Sequence, residues 1–300
     1  MEFLENYAIL LKTQTVAFTV LFFILGACLA SFFNVVIFRL PKMIEEEEKE
    51  CVKEYLEGMN IVVPDELKNN DIKTNLSHPA SHCYSCGNKL KWYHNIPILS
   101  YLVLRGKCGF CKTPYSFQYP LVEALGGIIL AATYLLFIPS GVAPFLLAAF
   151  LFMMCFVMAG IDLKTYLLPD SLTLPTMWIG LTAASQNYLL KAHSFQDAFL
   201  GAVVGYGLLW FVAFVGKKIK KQEVMGEGDW KLLAALGVFI GVKGVIIAFF
   251  VAPFMGIFTW LYFRLTGNKE AMVPYGPSLI LASVFYLFWG EQFLQFLGIR

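Results

Sequence analysis

The chain has 300 residues, of which 58% are hydrophobic and only 15% are charged, and its mean hydropathy is +0.65. Soluble domains carry about 25% charged residues, so this composition argues against an ordinary soluble protein and favours a membrane protein. The net charge of +2 neither supports nor excludes nucleic-acid binding, and we expect no nucleic acid among the partners.

Long apolar segments recur along the chain, and a helix needs about 20 apolar residues to cross the hydrocarbon core. The first, residues 15–38, is too long for a signal peptide and lacks a preceding basic region. The stretch 230–264 is interrupted by Gly-Val-Lys-Gly at 241–244, which favours two helices over one. The other predicted spans are 120–138, 142–161, 171–190, 197–216 and 274–298. We therefore predict an all-α polytopic membrane protein with about eight transmembrane helices.

The basic residues predict how these helices are oriented, because lysine and arginine accumulate on the cytoplasmic side. Nineteen of the 23 lysines and arginines fall in alternate loops, which predicts that both chain termini lie outside. The four loops that we expect inside are 39–119, 162–170, 217–231 and 264–273.

The first of these loops is the one long polar segment, and it divides the chain into three predicted parts. A first transmembrane helix occupies 1–40, a cytoplasmic loop 41–119, and a membrane domain 120–300. The loop begins with a glutamate block at 45–48, for which we expect a solvated helix followed by a linker.

Four cysteines in the second half of the loop form two C-x-x-C pairs, Cys83 with Cys86 and Cys108 with Cys111, with 21 residues between the pairs. Each C-x-x-C turn directs two sulfurs to one point, and two such turns complete the tetrahedral thiolate set of a structural zinc site. Free thiols or redox disulfides are the alternatives, and a cytoplasmic location disfavours disulfides. The spacing therefore predicts a zinc-knuckle domain in the first loop.

Neighbouring residues agree with this prediction. Gly87 and Gly109 suit knuckle turns, which need either positive φ or close approach of the backbone. His82 and His94 could replace a ligand, but four cysteines already complete the set. We expect ordinary roles for the remaining cysteines, which are Cys28, Cys51 and Cys155.

Two aspartates stand out because carboxylates at membrane depth are costly and are functional candidates by default. Asp162 lies at the inner end of the third predicted span, where the helix dipole disfavours an anion. Asp229 begins the sixth span on the same side of the membrane. Two carboxylates that share one proton can activate water and protonate a carbonyl, which is the chemistry of aspartic proteolysis. We therefore expect Asp162 and Asp229 to act as a pair.

The surrounding residues have simpler explanations. Asp170 fits the N-cap of the next helix, and Asp197 lies at a helix start, where the dipole favours an anion. Lys164 and Lys231 could contact lipid headgroups or tune the aspartates, and we favour snorkelling to the membrane interface. Gly226 and Gly228 predict a bent, unwound segment just before Asp229.

Five stretches follow one another along nearly the whole chain: residues 30–41, 92–125, 160–170 with the sequence GIDLKTYLLPD, 226–231 with the sequence GEGDWK, and 274–282. Together they resemble the G-x-G-D membrane aspartyl proteases and, more narrowly, the bacterial type IV prepilin peptidases. A lone G-x-G-D would be weak evidence, whereas this set in this order is specific.

The resemblance implies a bifunctional enzyme of the bacterial inner membrane. Such peptidases cleave the basic leader of type IV prepilins and pseudopilins after a glycine at the cytoplasmic face. They then methylate the new N-terminal residue with S-adenosylmethionine. The catalytic roles carry over to Asp162 and Asp229, and the two C-x-x-C pairs match a pattern that archaeal preflagellin peptidases lack. The expected partners are prepilin or pseudopilin precursors and membrane lipid.

The methyl-donor site is not marked in the sequence, since no glycine-rich strand–turn–helix of the nucleotide-binding kind is present. Methylation therefore rests on the resemblance alone. Glu123, near the inner end of the second span, matches an acid of the family. It could bind the positively charged N-terminus of the substrate or stabilise the fold there, and the sequence leaves both open.

Three alternatives remain at this point. The chain could be a peptidase without methyltransferase activity, or a zinc-knuckle scaffold without enzymatic activity. It could also be an ion or proton transporter, since membrane aspartates on facing helices form ion pathways. A transporter would place its acids near the midplane, often within an inverted repeat, whereas these acids are predicted at the inner boundary. The acidic block could attract a basic leader, although such blocks are commonly solubilising.

Overall fold

A computed structural model describes residues 15–68, 74–222, 225–265, 273–296 and 298. Their regular structure is helical, apart from two isolated β-bridges. Six helices within the described ranges are long and apolar enough to cross a membrane, which confirms the all-α polytopic class. The total of about eight spans stays a prediction, and most of the predicted loop 264–273 lies outside the described residues.

Two compact units divide the chain, an N-terminal unit from Thr15 to Ala132 and a C-terminal unit formed by the described residues from Thr133 onward. The N-terminal unit contains α1 (Thr15–Gly58), α2 (Asp65–Lys68), α3 (Leu99–Leu104) and most of α4 (Gln118–Phe137), with a 3-10 turn at Trp92–Asn95. The predicted division into 1–40, 41–119 and 120–300 separates membrane from cytoplasmic segments and stays a prediction.

Helix α1 continues well beyond the apolar span 15–38, through Pro41 and the glutamate block, to Gly58. Glutamate and lysine favour helix, and an ion pair between Lys49 and Glu45 supports this polar extension. The extension also anchors the following loop. Glu46 accepts hydrogen bonds from the backbone nitrogen and the hydroxyl of Thr74 at 3.1 and 2.7 Å.

The C-terminal unit contains α5 (Val142–Thr165), α6 (Asp170–Ser185), α7 (Phe195–Lys220), α8 (Glu227–Leu265) and α9 (Gly276–Phe296), preceded by a 3-10 turn at Ile138–Ser140. The first half of α8 lies at the centre of its core. Leu232, Leu233 and Ile240 are almost completely buried there, so this apolar run is covered by protein on most sides.

Helix α8 is broken at Gly241, whose backbone has φ 67° and ψ −178°. A Cβ added at Gly237 would lie 2.9 Å from Cγ2 of Val245, although residues eight apart in a straight helix are about 12 Å apart along its axis. The chain therefore folds back at Gly241. This confirms the prediction of two helices within the stretch 230–264.

Asp197 holds the second half of α8 in place. The backbone nitrogen of Val242 donates to its Oδ1 at 3.1 Å, and the backbone nitrogen of His193 donates to its Oδ2 at 3.0 Å. Asp197 also lies in the first turn of α7, as expected. The sequence indicated only that local role, because the chain reversal that brings Val242 to it comes from the tertiary fold.

Candidate functional site

Asp162 lies in the last turn of α5, and only 4% of its surface is exposed. Its Oδ2 accepts a hydrogen bond from the backbone nitrogen of Gly276, the first residue of α9, at 2.9 Å. The dipole of α9 therefore favours an anion where the dipole of α5 disfavours one. The sequence indicated only the unfavourable end of α5, because the start of α9 is brought beside Asp162 by the tertiary fold.

Asp229 is the third residue of α8 and is half-buried. Its backbone nitrogen donates to the carbonyl oxygen of Gly226 at 3.3 Å. Leu168 packs against both Gly228, the neighbour of Asp229, and Gly276, whose amide binds Asp162. The structure thus brings the chain segments that carry the two predicted aspartates together within the C-terminal unit. Their catalytic roles stay a prediction.

The two glycines before Asp229 differ in their surroundings. Helix α8 begins at Glu227, so the predicted non-helical segment before Asp229 ends at Gly226, and Gly228 and Asp229 are already helical. A Cβ added at Gly228 would lie 2.6 Å from Cβ of Leu168, whereas one added at Gly226 would meet only Oδ2 of Asp229, at 3.8 Å. Gly228 therefore permits close helix–loop contact rather than unwinding.

An ion pair joins the starts of α6 and α8. Nζ of Lys231 lies 2.9 and 2.8 Å from the two carboxylate oxygens of Asp170. The expected N-cap role of Asp170 was wrong, because Pro169 is the N-cap residue and Asp170 is the first helical residue. Lys231 thus binds a carboxylate of α6, and its expected snorkelling to the membrane interface stays a prediction.

The start of α9 is the part of this site that the sequence did not place. The amide of Gly276 donates to Asp162, and Leu168 packs against both Gly228 and Gly276. The stretch 274–282 carried a usable signal, since Pro277 after Gly276 is typical of a helix start. A helix start offers free amide groups to a carboxylate, but only the fold shows which carboxylate accepts them.

The four predicted thiols meet in the N-terminal unit. The sulfurs of Cys83, Cys86, Cys108 and Cys111 all lie within 4.8 Å of one another, and Cys83 Sγ and Cys111 Sγ are 3.7 Å apart. Four thiolates at about 2.3 Å from a tetrahedral zinc would be about 3.8 Å apart. The four cysteines therefore fit a metal ion, and all seven cysteines of the chain are free of disulfides.

Each knuckle is shaped by its own backbone hydrogen bonds. The backbone nitrogen of Cys83 donates to Asn88 O at 3.0 Å, and that of Cys108 donates to Thr113 O at 2.8 Å. Hydrogen bonds with Thr113 lower the pKa of Cys111 to about 6, which favours the thiolate that a metal requires.

Gly87 and Gly109 confirm the prediction that a knuckle turn needs either positive φ or close approach of the backbone. Gly87 has φ +69°, a conformation that glycine adopts without strain. Gly109 instead makes the close approach, because a Cβ there would lie 2.9 Å from Cε1 of His94. Neither His82 nor His94 belongs to the metal-binding group among the described residues.

Glu123 lies in α4 and belongs to the N-terminal unit. It is 9% exposed, and its Oε2 accepts a hydrogen bond from the backbone nitrogen of Ile98 at 2.8 Å. Ile98 has φ +62°, which is unusual for a β-branched residue. Glu123 therefore fixes a strained turn just before α3, which agrees with one of its two expected roles and leaves the other open.

Comparison with known proteins finds a matching family model for each half of the chain. Residues 24–137 match the bacterial peptidase A24 N-terminal domain, and residues 149–261 match the type IV leader peptidase family. The chain is 39% identical to a prepilin leader peptidase/N-methyltransferase of Xanthomonas campestris over 285 residues, which cover 92% of this chain and 94% of that protein.

Two further relatives carry the same name. The protein of Burkholderia pseudomallei is 36% identical over 298 residues, 98% of this chain and 92% of its own length. That of Pseudomonas aeruginosa is 36% identical over 298 residues, 97% of this chain and 98% of its own length. No solved structure matches the chain. With both domains matched and relatives aligned over almost their full length, the chain belongs to the type IV leader peptidase family.

Proposed function

We propose that this chain cleaves the leader peptide of type IV prepilins or pseudopilins at the cytoplasmic face of the bacterial inner membrane, with Asp162 and Asp229 as the catalytic pair. The observation that carries the proposal is the position of these two carboxylates: Asp162, at the end of α5, binds the Gly276 amide, and Leu168 packs against both Gly276 and Gly228, the neighbour of Asp229 at the start of α8. A pair of this kind has the chemistry to hydrolyse a peptide bond without a covalent intermediate.

The hydrogen bonds suggest which carboxylate has which role. The Gly276 amide and the N-terminus of α9 stabilise negative charge on Asp162, so Asp162 is the base that takes a proton from water as its oxygen attacks the scissile carbonyl carbon. Asp229 donates the shared proton to the carbonyl oxygen. The tetrahedral intermediate then collapses, the C–N bond breaks, and the leaving amine takes a proton from the pair.

The position of the pair suits this substrate. A prepilin carries a short basic leader followed by an apolar helix, so its cleavage point lies where membrane meets cytoplasm. Asp162 and Asp229 both lie at helix ends rather than near the middle of a span. That position argues against a proton or ion transporter, which would place its acids near the membrane midplane.

We further propose that the four cysteines bind one structural zinc ion on the cytoplasmic side. A complete thiolate set leaves no open position for substrate, which is typical of structural rather than catalytic zinc. The ion would join two turns whose connecting segment has few buried residues. It would thereby stabilise the N-terminal unit without taking part in hydrolysis.

Methylation of the new N-terminus is the second activity that we propose, and the names of the relatives support it. S-adenosylmethionine would supply an electrophilic methyl group to the unprotonated amine, with S-adenosylhomocysteine as the leaving group and the displaced proton passing to water. A peptidase without this activity would leave the cleaved product unmethylated.

Purified protein and a purified prepilin test the peptidase assignment. Asp162→Asn and Asp229→Asn keep the size of each side chain and remove the carboxylate, and we expect each to lower cleavage by about 10³-fold or more. Asp65→Asn makes the same change in the polar segment and serves as the matched control. Cleavage at the wild-type rate by either variant would exclude the proposed pair.

A further inference from the structure

The N-terminal unit contains a cavity of about 660 Å³, which lies between α1, the two knuckles and the start of α4. Its size is within the range of about 300–1,000 Å³ that is usual for small-molecule sites. Polar and aromatic side chains line it together, among them Asn34, His94, Tyr119 and Glu123. The proposed peptidase chemistry makes no use of this space.

Glu123 gives the cavity an unusual electrostatic character. Its carboxylate is 9% exposed, and no lysine, arginine or histidine of the described residues forms an ion pair with it. Arg39 lines the same cavity, but its guanidinium group donates to the carbonyl oxygens of Asn75, Leu76 and Pro79. A buried carboxylate without a partner cation is costly, so the site is suited to a ligand that brings a positive charge.

The hydrogen bonds of Glu123 leave room for such a ligand. Oε2 is occupied by the Ile98 amide, and no hydrogen bond to Oε1 is found in the described part of the chain. His94 lines the same cavity, and its Nδ1 is buried without a hydrogen-bond partner among the described residues. A carboxylate oxygen without a hydrogen bond and a buried ring nitrogen without a partner are more than a purely structural void would need.

We propose that this cavity binds S-adenosylmethionine, and that the Glu123 carboxylate binds the ammonium group of its amino-acid part. The proposal rests on the methyl-transfer activity proposed above and deepens it by assigning the donor site. Aromatic rings on the wall, including Tyr84 with 83% of its surface exposed, offer faces on which an adenine base can stack.

Three positively charged groups could bind Glu123: the sulfonium of the donor, the protonated amine of the acceptor and the ammonium group of the donor. The chemistry of the transfer favours the last. The sulfonium loses its charge during transfer, so a carboxylate beside it would stabilise the donor more than the transition state and slow the reaction. The amine acceptor must be unprotonated to attack, and a carboxylate would hold it in the protonated form. The ammonium group of the donor takes no part in the transfer, so binding it carries neither penalty.

Ligand binding to the full-length purified protein tests this assignment independently of activity. The probes are S-adenosylhomocysteine, which keeps the ammonium group, and 5′-methylthioadenosine, which keeps the adenosine but lacks the amino-acid part. Titration calorimetry measures both. For Glu123→Gln we expect S-adenosylhomocysteine to bind about 10-fold more weakly or worse, since hydrogen bonds to charged groups are the strong ones, and methylthioadenosine to bind within about 3-fold of wild type.

Two further variants locate the ligand and control for general damage. Ser31→Phe adds bulk to the α1 wall of the cavity, and we expect it to weaken both probes by about 10-fold or more. Glu57→Gln makes the same chemical change as Glu123→Gln on the exposed extension of α1 and leaves both affinities unchanged. Metal content and elution volume equal to wild type show that each variant is folded.

The outcomes separate this inference from the proposed peptidase. Wild-type affinity for both probes in Glu123→Gln and Ser31→Phe would place the ligand elsewhere and overturn the assignment. Equal weakening of both probes by Glu123→Gln would overturn the role given to its carboxylate. A wild-type protein that cleaves prepilin but binds neither probe would overturn the donor site and leave the peptidase standing. A wild-type protein that binds the probes but does not cleave prepilin would overturn the peptidase assignment and leave the donor site standing.

Discussion

The two compact units build their sites in opposite ways. In the N-terminal unit, the four thiols come from two short turns, and the bonds that shape each turn join residues five apart, such as Cys83 and Asn88. In the C-terminal unit, the bond between Asp162 and the Gly276 amide joins residues 114 apart. The first site depends on local geometry and on the metal ion that we propose for it, whereas the second depends on how helices pack. Each should therefore fail for a different reason.

The largest effect should come from Asp162, which combines the proposed chemistry with a long-range structural bond. We expect Asp162→Asn and Asp162→Ala each to lower prepilin cleavage by about 10³-fold or more. Only the alanine variant leaves the buried Gly276 amide without an acceptor, at a cost of about 1–3 kcal/mol. Thermal unfolding in detergent should therefore separate the two variants. Equal thermal stability would show that the bond to α9 contributes little.

Loss of one thiol should break the N-terminal site alone. For Cys108→Ser we expect bound zinc to fall from one ion per chain to less than about one-tenth, because structural sites need their complete ligand set. Elemental analysis of the purified protein measures this, and faster proteolysis within residues 78–116 should accompany it. Cys51→Ser, at an exposed thiol of α1, is the control, and a similar loss of zinc there would contradict the four-cysteine assignment.

The two glycines before Asp229 test whether the C-terminal site depends on close packing. In Gly228→Ala the new methyl group overlaps Leu168, so Asp229 must move, and we expect cleavage to fall about 10- to 100-fold, as for overpacking of 1–3 kcal/mol. Gly226→Ala places its methyl group 3.8 Å from Oδ2 of Asp229 and should change the rate by less than about 3-fold, because ordinary contact distances are kept. The same assay measures both. The reverse order would contradict the helical position of Gly228.

A smaller effect should follow from the ion pair between Lys231 and Asp170. Both side chains are partly exposed, so we expect Lys231→Gln and Asp170→Asn each to lower cleavage by about 5-fold, equivalent to about 1 kcal/mol. The double variant should be no worse than either single variant, since both remove the same pair. Multiplied effects in the double variant would show that the two residues act separately.

The smallest effect should come from the acidic extension of α1. Glu46 is bound to Thr74, so the informative change is Glu47→Gln with Glu48→Gln, which removes charge and keeps that bond. We expect cleavage at low salt to change by less than about 2-fold, because exposed charges are solvated and weakly coupled. A salt-dependent fall of 10-fold or more in the cleavage rate would show that this segment attracts the basic leader of the substrate.

The sequence predicted those features whose cause is local. The C-x-x-C pairs fix the thiol cluster because each turn sets its own geometry, and Gly241 marks the break in α8 because few other residues tolerate its φ. The apolar span 15–38 identified a membrane helix but not the end of α1, since polar residues with high helix propensity extend a helix beyond its apolar part.

The remaining features depend on which elements meet, and the spacing of residues does not contain that information. Nothing around Gly228 indicates that Leu168 packs on it, and nothing around Lys231 indicates Asp170. For the same reason the sequence left Glu123 with two roles. The cavity that it lines appears only when α1, the knuckles and α4 are assembled.

The most direct test of the account uses Asp229→Asn with two substrates, an intact prepilin and the same pilin already cleaved to its mature N-terminus. Mass spectrometry of the products after incubation with S-adenosylmethionine reports leader removal and methylation together. Separate sites for the two reactions predict that the variant leaves the prepilin uncut and still methylates the mature pilin. Cleavage of the prepilin, or loss of methylation on the mature pilin by a variant with its full zinc content, would contradict the account.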